Sequence, residues 1–316
     1  MRFIGIDLAW TYKNETGVCV INESGEVEYL KSAILSDEDI VSIIKRCSHE
    51  PVSIAIDAPL IVKNESGSRQ AERDLMSEKI HGHNVSLFVA SRSYLSRTYG
   101  QIRGEVLMNL IKKEVPSVTV SENSIPGKST IIETFPSAVC CGLFPEIYPV
   151  KYKIKRKVAY EETRYQMERI LERFRLIEEE EKHVQGLVSK LGIGEINIDK
   201  NNHKHIEDKV DAFISAYGIY SIHKGIAGQK TFGDVENGFI TIPIAVNKNS
   251  LCSSEKPKTE CMCAGRMFNS ADIAKLTIQL GELAKTIELD SEKQAKAFRK
   301  FEREVERIKK ECFEKQ

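Results

Sequence analysis

The chain has 316 residues, 41% hydrophobic and 29% charged, with 46 basic residues against 46 acidic ones. This composition suits one large core or two modest ones, and zero net charge excludes a global basic field, so any polyanion site has to be local. No apolar run reaches the ~18 residues of a membrane span, and the N-terminus enters a strand pattern without a basic, apolar leader. The expectation is a cytoplasmic protein with no membrane partner. Eight cysteines follow no framework spacing and read as reduced thiols.

The first apolar run is Arg2-Phe3-Ile4-Gly5-Ile6-Asp7. Gly17 to Ile21 and Glu26 to Leu30 follow, flanking the turn residues Asn22-Glu23-Ser24-Gly25, which predicts three consecutive antiparallel strands. Ser36 is placed to cap a helix whose Ile40, Ile43, Ile44 and Cys47 share one face. Val52 to Asp57 reads as a buried parallel strand. Residues 67–114 hold two helical stretches around a polar, His-rich loop, and Ser129 to Thr134 forms a further strand containing Glu133. Cys140 and Cys141 sit in an apolar helical turn after Pro136 and read as core, and Tyr160 to Lys182 is a charged helix. Between Asp211 and Lys224 no charged residue occurs, so the helix predicted over 208–222 is apolar nearly all round and belongs inside.

The order of elements predicts an α/β fold with a mixed sheet, an opening meander and helices on both faces. Its domain is expected to span 1–245. A polar stretch with Pro257 marks 246–269 as a linker. Apolar residues at three-four spacing then predict a helical hairpin over 270–316, suited to packing, self-association or a partner helix.

Two strands thus end in single aspartates, Asp7 and Asp57, and a late helix carries Asp208 and Asp211 on neighbouring positions. Several carboxylates on rigid elements are what Mg²⁺ or Mn²⁺ requires for phosphoryl transfer. Plainer roles exist for each. Asp57 before Ala58-Pro59 also suits a turn, Asp208 suits a helix start, and Glu133 suits a structural acceptor. Asp7 lies inside an apolar strand, and Asp211 meets small residues where an unpartnered charge is costly, so both favour a ligand role.

Lys151, Lys153, Lys155, Arg156 and Lys157 lie among Tyr148, Tyr152 and Tyr160, a mixture suited to phosphate contacts and base stacking, or to a solvated linker. Arg69 and Arg73, a helical turn apart, fit phosphate clamps or an ordinary surface pair, and Arg92, Arg97 and Arg103 add positive charge nearby. His81-Gly82-His83 and His203-Lys204-His205 read as loop histidines rather than a metal set.

Gly5-Ile6-Asp7-Leu8-Ala9-Trp10, Ile56-Asp57-Ala58-Pro59-Leu60, Arg69 with Glu72-Arg73, Glu133-Thr134-Phe135-Pro136, Asp208-Lys209-Val210-Asp211-Ala212 and Gly238 to Pro243 occur in this order. Together they resemble the DUF429 family of predicted RNase H-like nucleases over roughly residues 1–245. The resemblance implies an RNase H-like core with acidic residues on the first strand, the fourth strand and the last helix. By motif position these are Asp7, Asp57 and the Asp208/Asp211 pair. A nuclease of this kind would hold two ions about 3.5–4 Å apart. Asp7 would bridge them, Asp57 and Asp211 would each favour one, Asp208 would add a ligand or orient water, and Glu133 would sit nearby. Nucleic acid is the implied partner. Two other functions stay open: a sugar-kinase or actin-like ATPase, since Gly5-Ile6-Asp7 and Thr11 before a meander also begin those folds, and a non-catalytic nucleic-acid-binding module. The first lacks a convincing phosphate loop, Gly192-Ile193-Gly194 being isolated.

Overall fold

The computed structural model describes residues 1–245; the linker predicted over 246–269 and the hairpin predicted over 270–316 lie outside the described residues. The chain opens with β1 (Arg2–Asp7), β2 (Thr16–Asn22) and β3 (Val27–Ala33), followed by α1 (Asp37–Cys47) and β4 (Val52–Asp57). Next come α2 (Gln70–Ser77), β5 (Lys79–Ile80), β6 (His83–Asn84), α3 (Arg92–Tyr99), α4 (Arg103–Glu114), β7 (Val118–Val120) and β8 (Ser129–Glu133). The last described elements are α5 (Pro136–Leu143), α6 (Tyr160–Glu179), α7 (Leu187–Leu191), α8 (His203–His223), β9 (Ala227–Asp234) and β10 (Gly238–Ala245).

Six strands form one mixed sheet in the order β3-β2-β1-β4-β8-β7. The first three are the antiparallel meander, and β1, β4, β8 and β7 run parallel to one another. Alternation of side chains across the pleat divides the core in two. Ile4, Ile6, Val18, Val20, Ile54 and Ile56 pack on one face against α1 and α4. Phe3, Cys19, Ile21, Ala55 and Ile132 pack on the other against α5, α6 and α8. Ser36 caps α1 as the sequence predicts, its hydroxyl accepting from the Asp39 amide while the Asp39 carboxylate accepts from the Ser36 amide.

The position of α8 decides everything that follows. It crosses the sheet over β1 and β2, and glycines make the crossing close. A Cβ added at Gly5 would lie 2.1 Å from the Ala212 carbonyl oxygen, and one at Gly17 would lie 2.0 Å from that of Asp208. Bare backbone at these two points seats α8 directly on the strands, with Asp7 one pleat beyond Gly5 on the same face.

The structure also adds elements. The helix predicted over 208–222 starts at His203, so Asp208 lies in its second turn rather than at its start. Residues 67–114 contain three helices, with the His81-Gly82-His83 segment forming the β5–β6 hairpin. A separate antiparallel ribbon, β9–β10, packs on α2 and α5 and is tied to the end of β8 by the Thr134 hydroxyl, which donates to the Thr241 carbonyl at 2.9 Å. Among the described residues no helix is long and apolar enough to cross a membrane. The four described cysteines, Cys19, Cys47, Cys140 and Cys141, are free and buried.

Candidate functional site

β1 and β4 are parallel neighbours in a register that pairs Asp7 with Asp57, so both carboxylates leave the same end and face of the sheet. That face is covered by α8, which lowers Asp211 onto them. One carboxylate oxygen from each of Asp7, Asp57 and Asp211 lies within 4.8 Å of the other two. The three come from β1, β4 and α8, elements fixed by the sheet's hydrogen bonds and the glycine-seated helix.

Packing three carboxylates this closely away from water works against their ionisation. Burial, and then the charges of Asp211 and Asp57, holds the Asp7 carboxyl well above the usual range. The Asp57 carboxyl is pushed up to about 7, chiefly by burial, with Asp211 adding to the rise and Lys153 opposing it. Lys153 is the counter-charge. Its ammonium sits 2.6 Å from Asp211 Oδ2, and although burial disfavours its charge, Asp211, Asp57 and Asp7 together hold its pKa above the usual lysine value. Asp211 is fully buried, and its Oδ1 accepts a 2.5 Å bond from the Tyr152 hydroxyl. The His203 ring, also buried, bonds the Tyr152 carbonyl at 2.6 Å and anchors this segment to the start of α8.

The four aspartates expected as metal ligands therefore separate into three and one. Asp208 lines the same cavity but stands outside the group of three. Its Oδ1 takes the Lys204 ammonium at 2.7 Å, and its Oδ2 accepts from the Ser32 hydroxyl at 3.3 Å. Glu133 is corrected further. It is in register with Ile56 rather than Asp57, so the pleat turns it from the cluster. It still lies nearby, lining the cavity with Asp7 and Asp57 and adding to the rise of the Asp57 pKa, but it receives Arg69 in a two-pronged pair at 2.5 and 2.9 Å and accepts the Leu60 amide at 2.9 Å. Its pKa is nevertheless raised, because burial outweighs the pull of Arg69.

The basic residues are corrected in the same way. Arg69 lines the cavity but is buried, and besides Glu133 it donates to Glu72 at 2.9 Å and to the Ile61 carbonyl at 3.1 Å, so its guanidinium is engaged in bracing the loop after β4. Arg73 is exposed, turns back onto Gln70 and the Ser68 carbonyl, and does not line the cavity. Lys155 and Arg156 are exposed and also lie outside the lining, which leaves Lys153 as the member of its cluster that reaches the carboxylates. Arg103 is buried on Asp37 at 3.0 Å and donates to the Ala9 carbonyl at 2.9 Å, fixing the chain as it leaves β1. Of the tyrosines, Tyr152 is spent on Asp211 and Tyr148 packs against His83. His205, on α8 rather than in a loop, bonds Glu15.

Asp7, Asp57, Asp208 and Lys153, but not the fully buried Asp211, line a cavity of about 280 Å³ whose wall also includes Trp10, Leu87, Phe88 and Phe135. The sequence carries a hint of this wall, since Trp10 is the only tryptophan and follows Asp7 by three residues. Phe88 has no such signal.

An all-oxygen donor set of three converging carboxylates, offset by one ammonium, fits a hard divalent cation such as Mg²⁺ or Mn²⁺. No curated protein and no solved structure matches the chain. Residues 5–236, which include every carboxylate of the site, match the family model described as protein of unknown function (DUF429), and the chain belongs to that family.

Proposed function

We propose that this protein is a nucleic-acid phosphodiesterase working with Mg²⁺ or Mn²⁺ on an RNase H-like core. The observation that carries the proposal is the convergence of Asp7, Asp57 and Asp211 within 4.8 Å. Their origin supports it: first strand, fourth strand and last described helix are where the RNase H-like resemblance expects acidic residues. Asp7, Asp57 and Asp211 would hold the cation, with Asp208 offered to water beside it. A bound divalent ion supplies a water of lowered pKa and neutralises charge on a phosphate. The remaining work belongs to the chain. Tyr152 fixes the rotamer of Asp211, the Arg69–Glu133 pair fixes the end of β8, and Lys153 is a cation placed to meet a phosphate when it leaves Asp211.

One observation favours the non-catalytic reading, a nucleic-acid-binding module: the Lys153 ammonium already compensates the cluster at 2.6 Å from Asp211. The ATPase reading gains nothing, since Gly192 only caps the short α7, and neither it nor Gly194 lines the cavity. Cleavage of single-stranded, duplex, hybrid and branched nucleic acids with Mg²⁺ or Mn²⁺, beside Asp7→Asn, tests the proposal. Metal-dependent cleavage lost in the variant is expected. Absence of cleavage, with no metal-induced rise in Tm, would leave the non-catalytic module.

A further inference from the structure

Part of the wall of the cavity that Asp7 and Asp57 line is aromatic and is backed by further rings. The Trp10 ring stacks on Tyr99, with centroids 5.1 Å apart and planes 19° from parallel. Phe88 meets Trp10 edge to face at 5.5 Å and leans on Tyr94 at 5.2 Å. Both tyrosines belong to α3, and the Arg103 bond to the Ala9 carbonyl holds the backbone just before Trp10. Phe88 nevertheless leaves 46% of its surface in water, and Trp10 is only partly covered. A single exposed phenylalanine is ordinary on a protein surface. Here, though, it stands beside the only tryptophan, and both line the same cavity as Asp7 and Asp57.

The cavity's size narrows what this wall can serve. At about 280 Å³ it lies at the lower edge of the ~300–1,000 Å³ of small-ligand sites. That is room for one nucleotide-sized group rather than for a helix of paired bases. Within a duplex the π-faces of the bases are covered by their neighbours, so only an unpaired base can lie on an aromatic ring.

We propose that the site takes single-stranded nucleic acid, with one unpaired base laid against Trp10 and Phe88 and its phosphate over Asp7 and Asp57, the two members of the cluster that line the cavity. The phosphate half rests on the phosphodiesterase reading; the base half rests on the wall. Stacking of this kind uses a face that every base possesses, so the site tolerates sequence while selecting against pairing.

Because Trp10 is the sole tryptophan, its fluorescence reports the wall directly. The full-length protein is titrated with a short oligothymidylate, the same strand made abasic, and a blunt duplex, each with Ca²⁺, which takes the same oxygen ligands in looser geometry. Saturable quenching by oligothymidylate alone is expected. Phe88→Ala should weaken that binding roughly fivefold to a hundredfold, the range of one base–aromatic stack, and Phe88→Tyr should restore it. Phe88 is half exposed, so neither change threatens the fold. Equal quenching by the abasic strand or the duplex, or a Phe88→Ala variant with undiminished affinity, overturns the proposal. Mn²⁺-dependent cleavage is measured on the same samples. Cleavage of abasic and ordinary strands at the same rate removes the base platform and leaves the phosphodiesterase. Base-dependent quenching without any cleavage keeps the platform and removes the phosphodiesterase.

Discussion

Gly5→Ala tests the packing on which the whole site depends. The added methyl carbon would lie 2.1 Å from the Ala212 carbonyl oxygen and 2.3 Å from the Ala216 amide nitrogen, both backbone atoms of α8. No rotamer change relieves a clash with backbone, so helix and strand have to part by an ångström or more. Overpacking of this kind costs about 1–3 kcal/mol, and a backbone partner places Gly5 at the upper end. Alanine in a strand regains about 0.5–1 kcal/mol over glycine, leaving a net loss of about 2 kcal/mol. For a domain of this size that is a drop in Tm of about 4–8 °C. The same movement lifts Asp211 from Asp7 and Asp57, so Mn²⁺-induced stabilisation should shrink together with Tm. Gly228→Ala is the control, because its added methyl would meet the Ile244 carbonyl oxygen at an ordinary 3.8 Å, and Tm should hold or rise slightly. Thermal and urea unfolding with and without Mn²⁺ measure all of this. A Gly5→Ala protein as stable and as metal-responsive as the parent would refute the close seating of α8.

Three further outcomes are expected. Arg69→Met leaves Glu133 and Glu72 buried without their cation and should cost about 3–5 kcal/mol in urea unfolding; a stable variant with weakened nucleic-acid binding would return Arg69 to the role of phosphate clamp. The folded-state pKa of Asp57, about 7, and that of Asp7 are raised above their unfolded values, so these groups bind more protons folded than unfolded and stability falls as pH rises from about 4 through 7. In chelator, Asp7→Asn should therefore raise Tm at neutral pH, by about 2–4 °C for each kcal/mol of repulsion relieved, and in Mn²⁺ it should abolish the metal's stabilisation; a variant less stable than the parent in chelator would contradict the repulsion. Lys153→Met removes the ammonium from Asp211, so the metal-free protein should lose stability while calorimetric Mn²⁺ affinity rises; unchanged affinity would mean that Lys153 does not compete for the carboxylates.

The parts of this molecule that the sequence disclosed are those governed by short-range pattern. The apolar runs of β1 to β3 and the turn at Asn22 to Gly25 yield the meander, and the uncharged face of α8 announces its burial. Once β1 and β4 are parallel neighbours, the end positions of Asp7 and Asp57 follow. Charge pairing does not behave this way. Arg69 and Glu133 are 64 residues apart, and nothing in the local pattern of either tells a brace from a clamp. The same holds for Lys151 to Lys157, where a loop without period sends Lys153 to Asp211 and leaves Lys155 and Arg156 in water. For Asp208 and Asp211 the sequence favours only the second as a ligand and names no partner for either; Ser32 and Lys204 claim the first while Tyr152 and Lys153 claim the second.

That last division carries a physical consequence for the site. A carboxylate already met by a hydroxyl and an ammonium gains less from a cation than one held against two like charges, because part of its compensation is in place. Asp7 and Asp57 have raised pKa values and share Lys153 through Asp211, so the shortage of positive charge is concentrated between β1 and β4. Asp208, which shares the Lys204 ammonium with Glu207, sits at the margin of that shortage. On the proposed function the donor set would have an order: a divalent ion would be drawn first to the Asp7–Asp57 end, and displacement of Lys153 would open the Asp211 side. Lys153, once displaced, would remain tethered at the cavity and positively charged, the state in which a lysine could hold the phosphate of the proposed substrate.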